Sequence, residues 1–305
     1  MRCGWVLLIV ALALAGCGGD SRPKVVKVPS LPGSVVVADG HKVYFDCEGK
    51  GSPTVVFLSG WGVDSSGWLQ VFDGTSRVTR SCEYDRYGMG MTAAYGALPR
   101  RARDAHDQVR ELEQLLRNAD IAKPYVLVGH SWGGALARLY AGTHDEVKAV
   151  VFVDASSPGQ TAAIAAALPP KRPGESPLLE EFRHPNVGVA LANPEYLAWE
   201  KSLNETGEVK SLGERPEIVI TAGNTFEGSE DLVFPVWIRL QNRLASLSSR
   251  SVHVVARTSG HFVQLDEPAL VLAAVRAAVN AARNDGRLAS CAAIFGHVGD
   301  RTCVH

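Results

Sequence analysis

The sequence has almost no net charge: 31 Lys and Arg stand against 32 Asp and Glu over 305 residues, a formal balance of −1. Without a basic excess there is no electrostatic footprint for a nucleic-acid partner. No Pro- or Ser-rich linker divides the middle of the chain, so one large domain is expected, of a size common for a single α/β unit of about 250 residues. The N-terminal apolar run, Trp5 to Ala15, falls short of the ~20 residues that a membrane-spanning helix needs. None of the six cysteines is spaced as CxxC, which leaves a zinc site without support. What is present suits a folded protein: 46% hydrophobic and 21% charged residues are enough to bury a sizeable core and exclude wholesale disorder.

Arg2 followed by that apolar run reads as a secretory signal. It ends at Leu14-Ala15-Gly16-Cys17, which resembles the lipobox of bacterial lipoproteins. The resemblance implies removal of residues 1–16, a diacylglycerol on the Cys17 thiol, and an exported protein anchored to a membrane of the bacterial cell envelope. Residues 17–32, opening Gly18-Gly19-Asp20-Ser21, read as a flexible tether. Setting aside Cys3 and Cys17 leaves Cys47, Cys82, Cys291 and Cys303, an even number in an oxidising compartment and hence candidates for disulfides.

Apolar, β-branched runs bounded by Gly or Pro predict strands at His41 to Cys47, Thr54 to Leu58, Ser81 to Tyr84, Tyr125 to Val128, Val147 to Val153, Glu217 to Thr221 and Val252 to Ala256. Helical periodicity lies between them: Ala105, Val109, Leu112 and Leu116, then Ala135 to Tyr140, Val236 to Leu247 and Ala269 to Ala282. Alternation of this kind predicts an α/β fold with a mostly parallel sheet covered on both faces. The domain is read as 33–284, with 285–305 as a C-terminal tail. Residues 156–213 break the rhythm and are read as a lid inserted over one end of the sheet.

Gly129-His130-Ser131-Trp132-Gly133 follows a predicted strand and opens a helix, the strand–turn–helix setting that a G-x-S-x-G nucleophile needs. With Phe57-Leu58-Ser59-Gly60-Trp61-Gly62 and Tyr84-Asp85-Arg86-Tyr87-Gly88-Met89-Gly90, it resembles the α/β-hydrolase superfamily over roughly Leu31 to Asn284. The first of these segments sits where members carry a His-Gly-x oxyanion loop, and the second resembles their D-x-R-G-x-G turn. Ser59 departs from the usual His, yet the backbone donors of the oxyanion hole would still come from Trp61 and Trp132. Trp68 reads as packing.

A serine hydroxyl needs a base to take its proton, and the resemblance assigns that role to His261, in Thr258-Ser259-Gly260-His261-Phe262 ahead of Asp266-Glu267-Pro268. His130 reads as structural, and His41, His106, His144 and His253 as solvated or packed. The acid has two candidates, because the segment after Glu217 to Gly223 continues as Asn224-Thr225-Phe226 without a carboxylate. Asp154 ends the strand Val147 to Val153; Asp231, in Asp231-Leu232-Val233-Phe234-Pro235, matches the family's D-x-[VIL]-x-P displaced by an insertion. Asp154 is preferred, since a strand end positions an acid more rigidly than a long loop. The implied reaction is acyl transfer from a small, apolar ester to water by Ser131, His261 and Asp154, calling for no metal and no organic cofactor.

The sheet order implied by the resemblance sets the Cys47 strand beside the Cys82 strand, which pairs these two and leaves Cys291 for Cys303. An apolar substrate is expected from Ala162 to Leu168 and Val187 to Leu191 in the lid. Two other readings stand beside the esterase: peptidase, lyase or haloperoxidase-like chemistry on the same fold, and a non-catalytic surface lipoprotein that retains it. The anchor is directly testable. Cys17→Ser is expected to abolish incorporation of labelled palmitate and partition into detergent; equal labelling of wild type and variant refutes the lipobox reading.

Overall fold

Nine strands form one sheet in the computed structural model, which describes residues 34–38, 40–171, 173, 183, 194–225, 230–296 and 298–304. Residues 1–16, expected to form a signal sequence, Cys17, residues 17–32, expected to form a tether, and the Val187 to Leu191 stretch lie outside the described residues. The strands are β1 (Ser34–Ala38), β2 (His41–Glu48), β3 (Thr54–Leu58), β4 (Ser81–Tyr84), β5 (Tyr125–His130), β6 (Val147–Val153), β7 (Glu217–Ala222), β8 (Ser251–Ala256) and β9 (Arg301–Val304). Their order is β1-β2-β4-β3-β5-β6-β7-β8-β9. The six strands from β4 to β8 in that order are parallel, while β1, β2 and β9 run antiparallel to their neighbours. This is the α/β-hydrolase fold.

The uniformly apolar strands are explained by burial on both faces. Side chains alternate along β3 and β5: Val56, Leu58 and Leu127 join one core, and Val55, Phe57, Val126 and Val128 join the other. Helices Ala105–Asn118 and Trp132–Thr143 cover the first face with Leu112, Leu116, Leu136 and Leu139. On the second, helices Leu69–Ser76 and Pro268–Arg283 contribute Val71, Phe72, Val271 and Val275. Asp104 starts the Ala105–Asn118 helix through a reciprocal capping box with Asp107. Helix Pro268–Arg283 begins at a proline, whose missing N–H costs nothing in the first turn.

Chain order reverses between β3 and β5. From β3 the chain passes to β4 on one side, and from β5 to β6 on the other, so a crevice opens between the loops leaving the carboxyl ends of these strands. The inserted segment leaves and rejoins the sheet between β6 and β7, with helices Gln160–Ala167 and Trp199–Thr206 among its described residues.

Two strands lie beyond those predicted, β1 and β9. The second changes the reading of the segment after residue 284, which is no tail: Phe295 of the short helix Cys291–Phe295 is fully buried in the second core, and Val254 of β8 pairs with Cys303. Its strand sequence, Arg301-Thr302-Cys303-Val304, is short and half polar, as suits an edge strand.

The disulfides join Cys47 to Cys82 and Cys291 to Cys303, with Cα separations of 4.1 and 6.0 Å. Cys47 and Cys82 are direct partners across the β2–β4 pair. The bonds close loops with sequence separations of 35 and 12, which on a chain-entropy argument contribute roughly 4 and roughly 3 kcal/mol. Replacing Cys47 and Cys82 together by Ala is therefore expected to lower the unfolding free energy in urea by roughly 3–4 kcal/mol. An unchanged urea midpoint and slope in oxidised protein refutes this bond.

Candidate active site

Ser131 sits between the end of β5 and helix Trp132–Thr143, with φ 51° and ψ −120°. A non-glycine residue with positive φ stores of order 1–3 kcal/mol of strain, and here the surrounding hydrogen bonds impose it. Its N–H donates to the Val153 carbonyl at 3.0 Å, and its own carbonyl accepts from Ser156 at 2.9 Å. Gly133 is required sterically, since a Cβ there would lie 2.1 Å from the Leu58 carbonyl oxygen. These contacts tie the turn to β3 and to the start of the insertion.

Asp154 leaves the end of β6 with a left-handed φ of 43° and is fully buried. Its Oδ1 accepts from the Ala222 N–H at 3.0 Å and Trp237 Nε1 at 2.7 Å; its Oδ2 accepts from Thr225 Oγ1 and His261 Nδ1, both at 2.7 Å. A carboxylate can only accept, so the proton on the His261 ring resides on Nδ1 and Nε2 keeps its lone pair. His261 is further held through its backbone: its carbonyl accepts from His130 Nε2 at 2.9 Å, and the two rings lie 4.6 Å apart. His130 is fully enclosed, and burial first, then the neighbouring His261, holds its pKa well below the ordinary histidine value. It stays neutral and positions its neighbour.

The structure thus brings Asp154 and His261 together and leaves Asp231 apart. Asp231 is exposed in the first turn of helix Glu230–Ala245, rather than on a loop. The same helix instead directs Trp237 inward, onto Asp154.

The loop after β3 runs against the Ser131 turn, where a Cβ on Gly60 would lie 3.3 Å from Ser131 Cβ and 2.8 Å from His130 Nδ1. Its orientation is set by a side chain to which the sequence reading gave no role. Arg86 is buried and donates from Nη1 to the Ser59 carbonyl and from Nη2 to the Gly60 carbonyl, both at 2.6 Å. A trans peptide points its carbonyl and N–H in opposite directions, so the Trp61 N–H is turned away from Arg86. Glu195, from the inserted segment, balances the charge: it accepts from Arg86 Nε at 2.7 Å and Nη2 at 2.9 Å, and from the Gly62 N–H at 3.0 Å. The Trp132 N–H is the first of helix Trp132–Thr143, where donors have no partner within the helix. Ser59 is buried with its hydroxyl unpartnered, and it contributes through its carbonyl alone.

The Trp61 and Trp132 rings each pack 5.7 Å from Trp199 of the insertion, and Trp132 Nε1 donates to Gln108 at 2.9 Å. Trp68 is buried against Phe57 at 5.1 Å. Among the other histidines, His253 is buried beside Thr221 at 2.7 Å, and burial pushes its pKa down to about 4. His106 faces Glu208, and His144 stacks on Tyr140. Among the described residues no group of three or more His, Cys, Asp and Glu side chains is placed to hold a metal ion.

Exchanging Asp154 for Asn presents an N–H or a weaker acceptor to His261 Nδ1 and mis-sets the imidazole. A loss of about 10⁴-fold in kcat is expected for Asp154→Asn, against less than threefold for Asp231→Asn. Steady-state ester hydrolysis by both purified variants decides, and the reverse ranking transfers the acid's role to Asp231.

A family model described as the alpha/beta hydrolase family matches residues 55–275. The chain is 28% identical over 231 residues to the uncharacterized protein YqjL of Bacillus subtilis, covering 75% of this chain and 84% of that one. Its fold is similar to that of an esterase from Exiguobacterium antarcticum, with a TM-score of 0.58 at 18% identity over 81% of this chain and 99% of the other. A thermophilic esterase from Thermogutta terrifontis gives a TM-score of 0.56 at 18% identity over 86% and 99% of the two chains. With a family model spanning the sheet from β3 into the last long helix, the chain belongs to the α/β-hydrolase family.

Proposed function

We propose that this protein is a serine hydrolase that cleaves a small carboxylic ester carrying an apolar acyl or alcohol group. The observation that carries the reading is the buried Asp154 carboxylate bound to His261 Nδ1, at the same edge of the sheet as the strained Ser131. In this reaction Ser131 Oγ attacks the ester carbonyl while His261 Nε2 takes its proton. The Trp61 and Trp132 N–H groups stabilise the oxyanion, and Asp154 stabilises the imidazolium. Collapse returns the proton to the departing alcohol; water then attacks the acyl-serine by the same route. The apolar preference is supported by Trp61 and Trp199 on the loop and insertion, and by the partly exposed Phe262 beside the base.

We propose further that the enzyme works outside the cytoplasm, held to a membrane through a lipid on Cys17. Support comes from the Leu14 to Cys17 tetrad and from the two disulfides, which persist in oxidising compartments.

Ser131→Ala and His261→Ala are each expected to lower hydrolysis of p-nitrophenyl esters by about 10⁴-fold or more with unchanged circular dichroism. A fluorophosphonate probe is expected to label wild type and not Ser131→Ala. Retention of a tenth of the wild-type rate by either variant, or equal labelling, overturns the assignment. A series of acyl lengths then reads the size of the apolar site.

A further inference from the structure

Beside helix Trp132–Thr143, three cations converge on one small cavity of about 160 Å³. Arg138 reaches it from helix Trp132–Thr143, Lys210 from the segment after helix Trp199–Thr206, and Arg243 from helix Glu230–Ala245; Ser157 completes its polar lining, and no carboxylate faces it. Lys210 and Arg243 are exposed, so their charges are well hydrated. Arg138 differs in being only 8% exposed. Its Nη2 donates to the Val209 carbonyl at 2.6 Å, whereas its Nε is buried with no hydrogen-bond partner.

A buried guanidinium with an unsatisfied N–H is costly, and such groups in folded proteins call for a specific explanation. The protein supplies little compensation. Glu217 is the carboxyl group whose field acts on Arg138, but it does not line the cavity, and burial raises its own pKa, which weakens it as a counter-charge. Burial likewise brings Arg138 down to about 10, still charged at pH 7. Three positive groups from three separate elements are therefore held around one cavity that no carboxylate lines, an arrangement that an anion relieves.

We propose that this cavity is a binding site for a small oxyanion, a phosphate or a carboxylate, held by Arg138, Lys210, Arg243 and the Ser157 hydroxyl. Its volume lies well below the ~300–1,000 Å³ of sites for drug-sized ligands, which restricts the occupant to a small ion or one anionic group of a larger molecule. The cavity is separate from the catalytic residues, since none of Ser131, Asp154, His261 or Trp61 lines it.

The test is titration calorimetry on the folded, disulfide-bonded protein with two probes, inorganic phosphate and acetate, each against sodium chloride of matched ionic strength. Wild type is expected to bind at least one probe saturably at one site per chain; which probe binds separates a phosphate site from a carboxylate site. Because Arg138 is buried and its replacement could impair folding, the informative variant is Lys210→Gln with Arg243→Gln, both exposed. That double variant is expected to bind at least tenfold more weakly while hydrolysing p-nitrophenyl esters at the wild-type rate. Absence of saturable binding of both probes to wild type, or equal affinity in the double variant, overturns the proposal.

Discussion

The Asp154 carboxylate is the point through which the candidate site is assembled. Its four donors come from the end of β7, the loop that follows, the helix Glu230–Ala245 and the loop after β8. A fully buried carboxylate would be prohibitive without them, because the loss of hydration must be replaced by hydrogen bonds. That requirement works in both directions: the buried carboxylate is satisfied by the elements it gathers, and each element is oriented by its bond to Asp154. The left-handed backbone of Asp154 and the Asp154 N–H bond to Ile220 at 2.7 Å belong to the same constraint. They hold the residue just past the parallel β6–β7 pair and turn its side chain across β7.

A second centre governs the loop after β3. The Arg86 guanidinium uses its planar fork to hold two successive carbonyls and one carboxylate, a geometry that lysine could not reproduce. Because β3 and β5 flank the reversal of chain order, this loop and the Ser131 turn face one another across the crevice. Ser131 is thus positioned by backbone strain, His261 by a buried carboxylate, and the loop after β3 by a buried ion pair. All three lie just beyond strand ends and are pinned there by hydrogen bonds.

What could be read from the sequence follows from how local each signal is. Ser131 was legible because a tight strand-to-helix reversal demands small residues at fixed spacing, and the central strands because their burial on both faces leaves an unbroken apolar run. β9 was not legible, since an edge strand of four residues carries no such run, and its pairing partner lies far back in the chain, Ala256 against Arg301 at the near end and His253 against Val304 at the far one. Asp154 and Asp231 could not be separated decisively because the contact that distinguishes them spans 107 residues. Arg86 stood inside a recognised turn, yet its role depends on Glu195, 109 residues away in a segment without regular pattern. The donors Thr225 and Trp237 were hidden for the same reason.

The Arg86–Glu195 pair also limits how the insertion can be exchanged. Transplanting a lid from another member of the family is usually imagined as cutting at the two points where it leaves the sheet. Here a cut that carries Glu195 away with the old insertion would strand a guanidinium, 2% exposed, against two carbonyls without its hydrogen-bonded carboxylate. Breaking one side of a buried ion pair typically costs 3–5 kcal/mol. A chimera that respects the architecture would keep the returning arm from Pro194 onward and graft only the residues before it.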